Sequence, residues 1–494
     1  MPYIVGTAKN SADFYQRLKG FITGVGFIGQ ATFQGVGNGR MIDIRLPDMS
    51  FAADVYTVTC ETTAPYGGSF GVESSIRGVR TDANVSSSYL DEGIEFYIDF
   101  GSTDFVLNDT FTVKFVEYSA ISKPWISELK AGVATKTETI TLTCVTPGVH
   151  GIPNVQAASP AVFSVEGSMS GPLGNYNQGE LFMSSVVTLR VDRGNEGDAA
   201  TQFTVGDTIK VFTTANELVA LNQQWVTLRE VPNASNPLLD TEWIFKGPGL
   251  AGVDEIFCGM QGFVQGFVLS GMRGYAPNLS YNEQPGMLPA SERPSLSLRG
   301  SLTPYWITVT GRRIIVMVRN DNYYMSMYLG LGLPWGSPKY QPYLLLVGGS
   351  AKGAGWSATS DSSANWWCPR TPVDYPSLGA SQTSSQLKVL NRDGIWKGHL
   401  TNGWSTDYYA SDVEAVKPYS NNEISQYSYN LDGGFPMMPL ILTPHLGEVD
   451  GAYAIPSIGF VSAEDIIYKP VEGRKFVVCS NTFRTGTYAA LELK

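Results

Sequence analysis

"FVLNDTFTVKF", Phe105 to Phe115, returns 98 residues later as "FTVGDTIKVF", Phe203 to Phe212. An active site is built once, whereas a building module can be copied, so this doubled phrase decides how the rest of the chain is read. Three more phrases recur in the same order: "YTVTC", "FGVESSIRG" and "IEFYID" in the first copy, "ITLTC", "FSVEGSMSG" and "VTLRVD" in the second. Each alternates apolar and polar residues, the pattern of a strand with one buried face. In the opening phrase Phe105, Leu107, Phe111, Val113 and Phe115 are expected on one face, with Val106 and Lys114 on the other. Asn108-Asp109 and Gly206-Asp207 fall where a turn must precede the last strand, because Asp and Asn bond nearby backbone N–H groups and Gly accepts positive φ. Asp109 and Asp207 are therefore read as turn residues, not as metal ligands or catalytic acids. The spacing predicts two tandem copies of one antiparallel β module.

Composition agrees with a sheet-built chain of several domains. The 494 residues are 43% hydrophobic and only 16% charged, with 53 Gly, 28 Pro and 25 Tyr, a balance that favours strands and turns over helix and argues against disorder. The net charge is −11 with no run of Lys or Arg, so nucleic acid is not expected as a direct partner. Residues 1–29 lack the apolar run of a secretory signal, and no stretch approaches the ~20 apolar residues of a membrane span. A product made in a cytoplasm without an export address, with no membrane partner, is expected.

Outside the doubled modules, "NSADFYQRLKGFITG" predicts a helix capped by Asn10 or Ser11, with Phe14, Leu18, Phe21 and Ile22 on one face. The G-x-G-x-x-G match at Gly24, Gly26 and Gly29 follows a helix instead of a strand, so it is read as loop. Ser127–Lys130 is expected to form a helical turn, and Leu218, Leu221, Trp225 and Leu228 to line a return helix. Beyond residue 240, short β phrases alternate with Gly, Pro, Asn and Ser; "WITVTGRRIIVMV" reads as a hairpin turning at Thr310-Gly311, and "SAKGAGWSATSDSSANWW" as an exposed loop. The expected organisation is mainly β and multi-domain. It comprises an N-terminal helix and linker over 1–50, a first β module over 51–125, a second over 126–217 and a larger irregular β-rich domain over 218–494.

Chemistry-bearing motifs are scarce. Cys60, Cys144, Cys258, Cys368 and Cys479 form no C-x-x-C pair, which points to buried free thiols, with an intersubunit disulfide as the alternative. His150, His399 and His445 sit in no H-E-x-x-H, although His445 lies near Glu448 and Asp450. Asp192–Asp198 has only a faint calcium-loop pattern, with Gly194 where a ligand is wanted. Asp374, Asp393, Asp407 and Asp412, among Trp366, Trp367, Trp396 and Trp404, are the carboxylates a glycan hydrolase would need, but nothing sets their separation. No catalytic, metal or cofactor-binding set is assigned, and the protein is expected not to be an enzyme.

"GPGLAGVDEIFCGM", "GFVLSGMRGYAP", "YWITVTGRRIIVMVRNDNYYMSMYLGLGLPWGSPKYQPYLLLVGGS" and "KFVVCSNTFRTGTYAALELK", with the starting helix "DFYQRLKGFIT", resemble a family of tailed-bacteriophage virion proteins, many carried in prophages. The resemblance implies a structural subunit of the tail, neck or collar, a ring or sheath-like layer of sixfold or twelvefold symmetry that meets other phage tail or neck proteins. A receptor-binding spike or fibre, or a baseplate component, that binds host glycan is the alternative. Phe14, Leu18 and Phe21 of the helix, and Trp366, Trp367 and Trp404 of the long loops, are the expected subunit contacts.

Overall fold

A computed structural model describes residues 2–119, 126–148, 160–192, 203–250, 254–298, 302–335, 344–352, 366–367, 387–390, 394–398, 437–442, 447–455, 462–480 and 488–494. The architecture is mainly β, with antiparallel sheets throughout and one helix longer than a turn, Ser11–Ile22, among the described residues. Two compact units emerge: Gly24–Val219, and Met1–Thr23 together with Ala220–Lys494.

In the Gly24–Val219 unit the doubled phrases become doubled sheets. The first copy orders its strands Gln30–Gln34, Thr110–Lys114, Val55–Ala64, Gly67–Ser74, Gly78–Val79, beside a three-stranded sheet Arg40–Arg45, Glu95–Asp99, Ser88–Leu90. The second matches it strand for strand: Val116–Tyr118, Thr208–Thr214, Glu138–Thr146, Val162–Gly167, Gly171–Asn177, beside Ile126–Ala131, Val187–Val191, Phe182–Met183. Alternation puts Tyr56, Val58 and Cys60 of one copy, and Ile140, Leu142 and Cys144 of the other, in the core. Each repeat thus begins earlier than the sequence phrases suggest, at residue 30 and at residue 116, because the opening strand of each copy lacks a recognisable twin. Ser127–Lys130 is not helical but lies in the strand Ile126–Ala131, paired with Val187–Val191. Part of the expected loop after Gly24 is likewise strand, Phe27–Ile28 and Gln30–Gln34.

The copies are joined by a shared run of backbone. Thr110–Lys114 passes through Phe115 into Val116–Tyr118, leaving the first sheet and pairing antiparallel with Thr208–Thr214 of the second. Phe27–Ile28 and Gln30–Gln34 make a similar crossing, since Ile28 pairs with Thr213 and Gln30 with Lys114. Gly29 sits at the crossover with φ +110°, and a Cβ there would come within 2.7 Å of the Phe115 ring. Only glycine accepts both constraints.

The other unit contains a seven-stranded, a six-stranded and a five-stranded sheet. Thr303–Val309 and Arg313–Asn320 form the expected hairpin. The helix packs against both larger sheets: Phe14 stacks on Phe267 at 5.7 Å and meets Tyr305 at 5.5 Å, while Tyr15 packs against Trp243. Asn10 caps it, its side chain accepting the Asp13 N–H at 2.9 Å. The expected helix after Leu218 is only the turn Glu217–Ala220; Val226–Asn233 is a strand paired with Asn236–Leu250. The Trp225 indole N–H donates to the Thr310 carbonyl at 2.9 Å, so that side chain serves sheet packing and not a helix stripe.

Candidate functional site

The residues expected at subunit contacts are core residues. Phe14, Leu18 and Phe21 are buried within their own unit, because the helix needs its apolar face to bridge two sheets of the same chain. Trp366 and Trp367 are also buried, Trp366 against Tyr328 with ring centroids 5.4 Å apart. These five positions therefore have no face to offer a neighbouring subunit. Trp404 lies outside the described residues, as do Cys368, His150, His399, His445, residues 193–198, Asp374, Asp393, Asp407 and Asp412. Trp396 donates its indole N–H to the Gly286 carbonyl at 2.7 Å.

Two clusters of buried polar groups are tied together by ion pairs and hydrogen bonds. Arg313 donates to the Glu492 carboxylate at 2.6 Å and to the Asp450 carbonyl at 2.9 Å, and Arg474 reaches the other Glu492 oxygen at 2.8 Å. Burial alone would push the Arg313 guanidinium down and the Glu492 carboxyl up; their opposite charges outweigh it, leaving Arg313 above and Glu492 below its ordinary range. A second cluster anchors the helix: Asp240 accepts from Tyr15 at 2.9 Å and pairs with Lys19 at 2.6 Å. Cys60, Cys144, Cys258 and Cys479 are free and buried, and burial pushes all four thiols up, away from the reactive thiolate. Among the described residues, no three His, Cys, Asp or Glu side chains converge as a metal site. These groups hold strands together.

What the two copies repeat in most detail is the turn that opens their last strand. In the first, Asn108 N–H donates to the Cys60 carbonyl at 3.0 Å, Cys60 N–H to the Asp109 carbonyl at 2.8 Å, and Asp109 N–H to the Val106 carbonyl at 3.0 Å. In the second the same three bonds link Gly206 to Cys144, Cys144 to Asp207, and Asp207 to Thr204, at 2.9, 2.8 and 3.0 Å. Asn108 and Gly206 both have positive φ, 70° and 97°. The Asp109 carboxylate accepts the N–H groups of Val36, Gly37 and Val106 at 2.8, 3.0 and 3.0 Å, and that of Asp207 accepts Thr204 at 2.7 Å. Burial raises the Asp109 carboxyl, but these backbone donors hold it below the ordinary range. Both aspartates serve as the turn residues they were read as.

Leu107 is not on the buried face expected of it. It projects from the turn, 57% exposed, beside Val36 at 68% and Val106 at 40%; its counterpart Val205 is 68% exposed beside Val145 at 46%. Residues 105–109 are turn and not strand, so the alternation does not extend through them. A second repeated device escaped the sequence altogether. Buried Asp54 accepts from Ser74 Oγ at 2.5 Å and Ile76 N–H at 3.2 Å, while buried Glu138 accepts from Ser170 Oγ at 2.5 Å and Met169 N–H at 2.7 Å. Each acid stands six residues before the cysteine of its copy and fixes the hairpin after the following strand, where Gly78 and Gly171 share a φ of 73°. The only available signal was that six-residue spacing, obscured by the change from Asp to Glu.

Compared with known proteins, the chain matches no family model and no curated sequence.

Proposed function

We propose that the chain is a non-enzymatic structural protein of a tailed-phage virion, one subunit of a ring or sheath-like layer at the neck, collar or tail. The observation that carries this reading is the doubled β module, matched strand for strand and turn for turn. Duplication enlarges a rigid surface, which serves an assembled layer, whereas catalysis needs a single convergent cleft. The phrasing shared with phage virion proteins supplies the particle. The buried ion pairs and protonated thiols support a subunit whose polar chemistry is devoted to its fold.

The receptor-binding alternative leaned on Trp366, Trp367 and Trp404; the first two are buried and cannot stack on a sugar. Electron microscopy of particles labelled with an antibody to this chain tests the proposal. Label in a regular band or collar at the neck or tail is expected; particles free of the protein would overturn it.

A further inference from the structure

Lys19 stands in the last turn of the helix Ser11–Ile22, and its ammonium touches two carboxylates of one hairpin. Nζ lies 2.6 Å from Asp240 Oδ2 and 2.7 Å from Glu230 Oε1. The strands that carry the two acids, Val226–Asn233 and Asn236–Leu250, pair with each other. Exposure falls steeply across the three groups: the Glu230 side chain is 44% exposed, that of Lys19 14% and that of Asp240 3%. Aromatic rings close the inner side. Tyr15 and Trp243 are buried, Nζ is 5.5 Å from the Trp243 ring centroid, and the Tyr15 hydroxyl donates to the same Asp240 oxygen at 2.9 Å. Burial first, and Asp240 second, push the Tyr15 phenol up, so it stays protonated and continues to donate.

An ordinary surface ion pair has none of this enclosure. Lys114 and Lys210 share Glu117 with all three side chains in contact with solvent, a cluster that water screens. At Lys19 one ammonium is shared by two carboxylates, the inner of which has lost its water, and removing both charges from that inner position relieves the cost of desolvating them. An amine and a carboxyl held in contact, in a place from which bulk water is excluded, are also oriented for condensation by the fold itself.

We propose that Lys19 and Asp240 condense into an intramolecular isopeptide bond, with Glu230 as the proton carrier. Nζ bonds to Cγ of Asp240 and one carboxylate oxygen leaves; the two protons given up by the ammonium depart with it as water. Glu230, in contact with Nζ and open to solvent, takes each proton in turn and passes it to the leaving oxygen. The oxygen held by Tyr15 becomes the amide carbonyl. Nothing is oxidised or reduced, and no co-reactant is needed. The reaction occurs once per chain and is independent of the virion reading above. Its consequence lies in the chain order: Lys19 precedes and Asp240 follows the whole unit Gly24–Val219. The bond therefore closes that unit into a covalent loop and fastens the helix to its sheet, which restricts the unfolded chain as a long-loop disulfide does.

Mass spectrometry of the denatured full chain tests this, because an ion pair separates on unfolding and an amide does not. Wild type should be lighter than its sequence mass by one water, and a tryptic digest should contain a branched peptide joining the segment around Lys19 to the segment around Asp240. Lys19→Arg keeps the charge but cannot condense, so it should show the full mass. Glu230→Gln should also show the full mass, with an unchanged circular dichroism spectrum, since the position is exposed. A wild-type chain of full sequence mass, or a water lost within one linear peptide, would overturn the bond. A Glu230→Gln chain that condenses as completely as wild type would overturn the role given to Glu230.

Discussion

Asp109 shows how a single side chain can set a turn. Its buried carboxylate accepts three backbone N–H groups and so ties the Val36–Gly37 loop to the turn at Val106. Asp109→Ala should lower the stability of its unit by about 2 to 3 kcal/mol, read as an earlier transition in urea. An unchanged midpoint would show that water replaces the carboxylate at no cost. Glu492 makes a different case, because its partners Arg313 and Arg474 are themselves charged. Its folded carboxyl is held below the ordinary range, so its contribution is present at neutral pH and is lost as pH falls through the folded value. Glu492→Gln should cost on the order of 3 to 5 kcal/mol at neutral pH, with the difference from wild type narrowing in acid. Melting curves from pH 7 downward would show the convergence, and a pH-independent gap would contradict it.

At the scale of elements, the helix and the crossover are the parts most open to test. Phe14 packs between Phe267 and Tyr305, so Phe14→Ala should destabilise the fold by about 3 to 5 kcal/mol. Impaired assembly at full stability would instead return the helix to a subunit contact. Gly29→Ala should unsettle the crossover, since the new methyl would meet Phe115 in a backbone conformation that suits glycine; a melting temperature equal to wild type would contradict that. The strands of the doubled phrases were legible because alternation with a buried face leaves a period of two. Elements without that period were misread. Leu218, Leu221, Trp225 and Leu228 satisfy helical spacing by chance, because Leu218 and Trp225 are buried at separate places while Leu221 is exposed. The opening strands of each copy, "QATFQ" and "VEY", share no letters in register, since edge strands with one neighbour tolerate change.

For the whole molecule, the division of charge matters more than its sum. The chain is neutral over Met1–Thr23 and Ala220–Lys494 taken together and carries its whole −11 on the doubled unit, so the acidic field is concentrated there. The sequence showed the total but not this partition, because the N-terminal helix joins its own unit across the whole intervening segment Gly24–Val219. The expected interface failed for a related reason: an apolar stripe looks the same whether it faces a second subunit or a distant part of its own chain. Aliphatic residues in a turn were the better guide to exposed surface. The most direct measurement is cryo-electron microscopy of the purified full chain at high salt. Closed rings of six or twelve subunits are the expected image. Solitary 53.6 kDa particles, or three-fold assemblies, would contradict it.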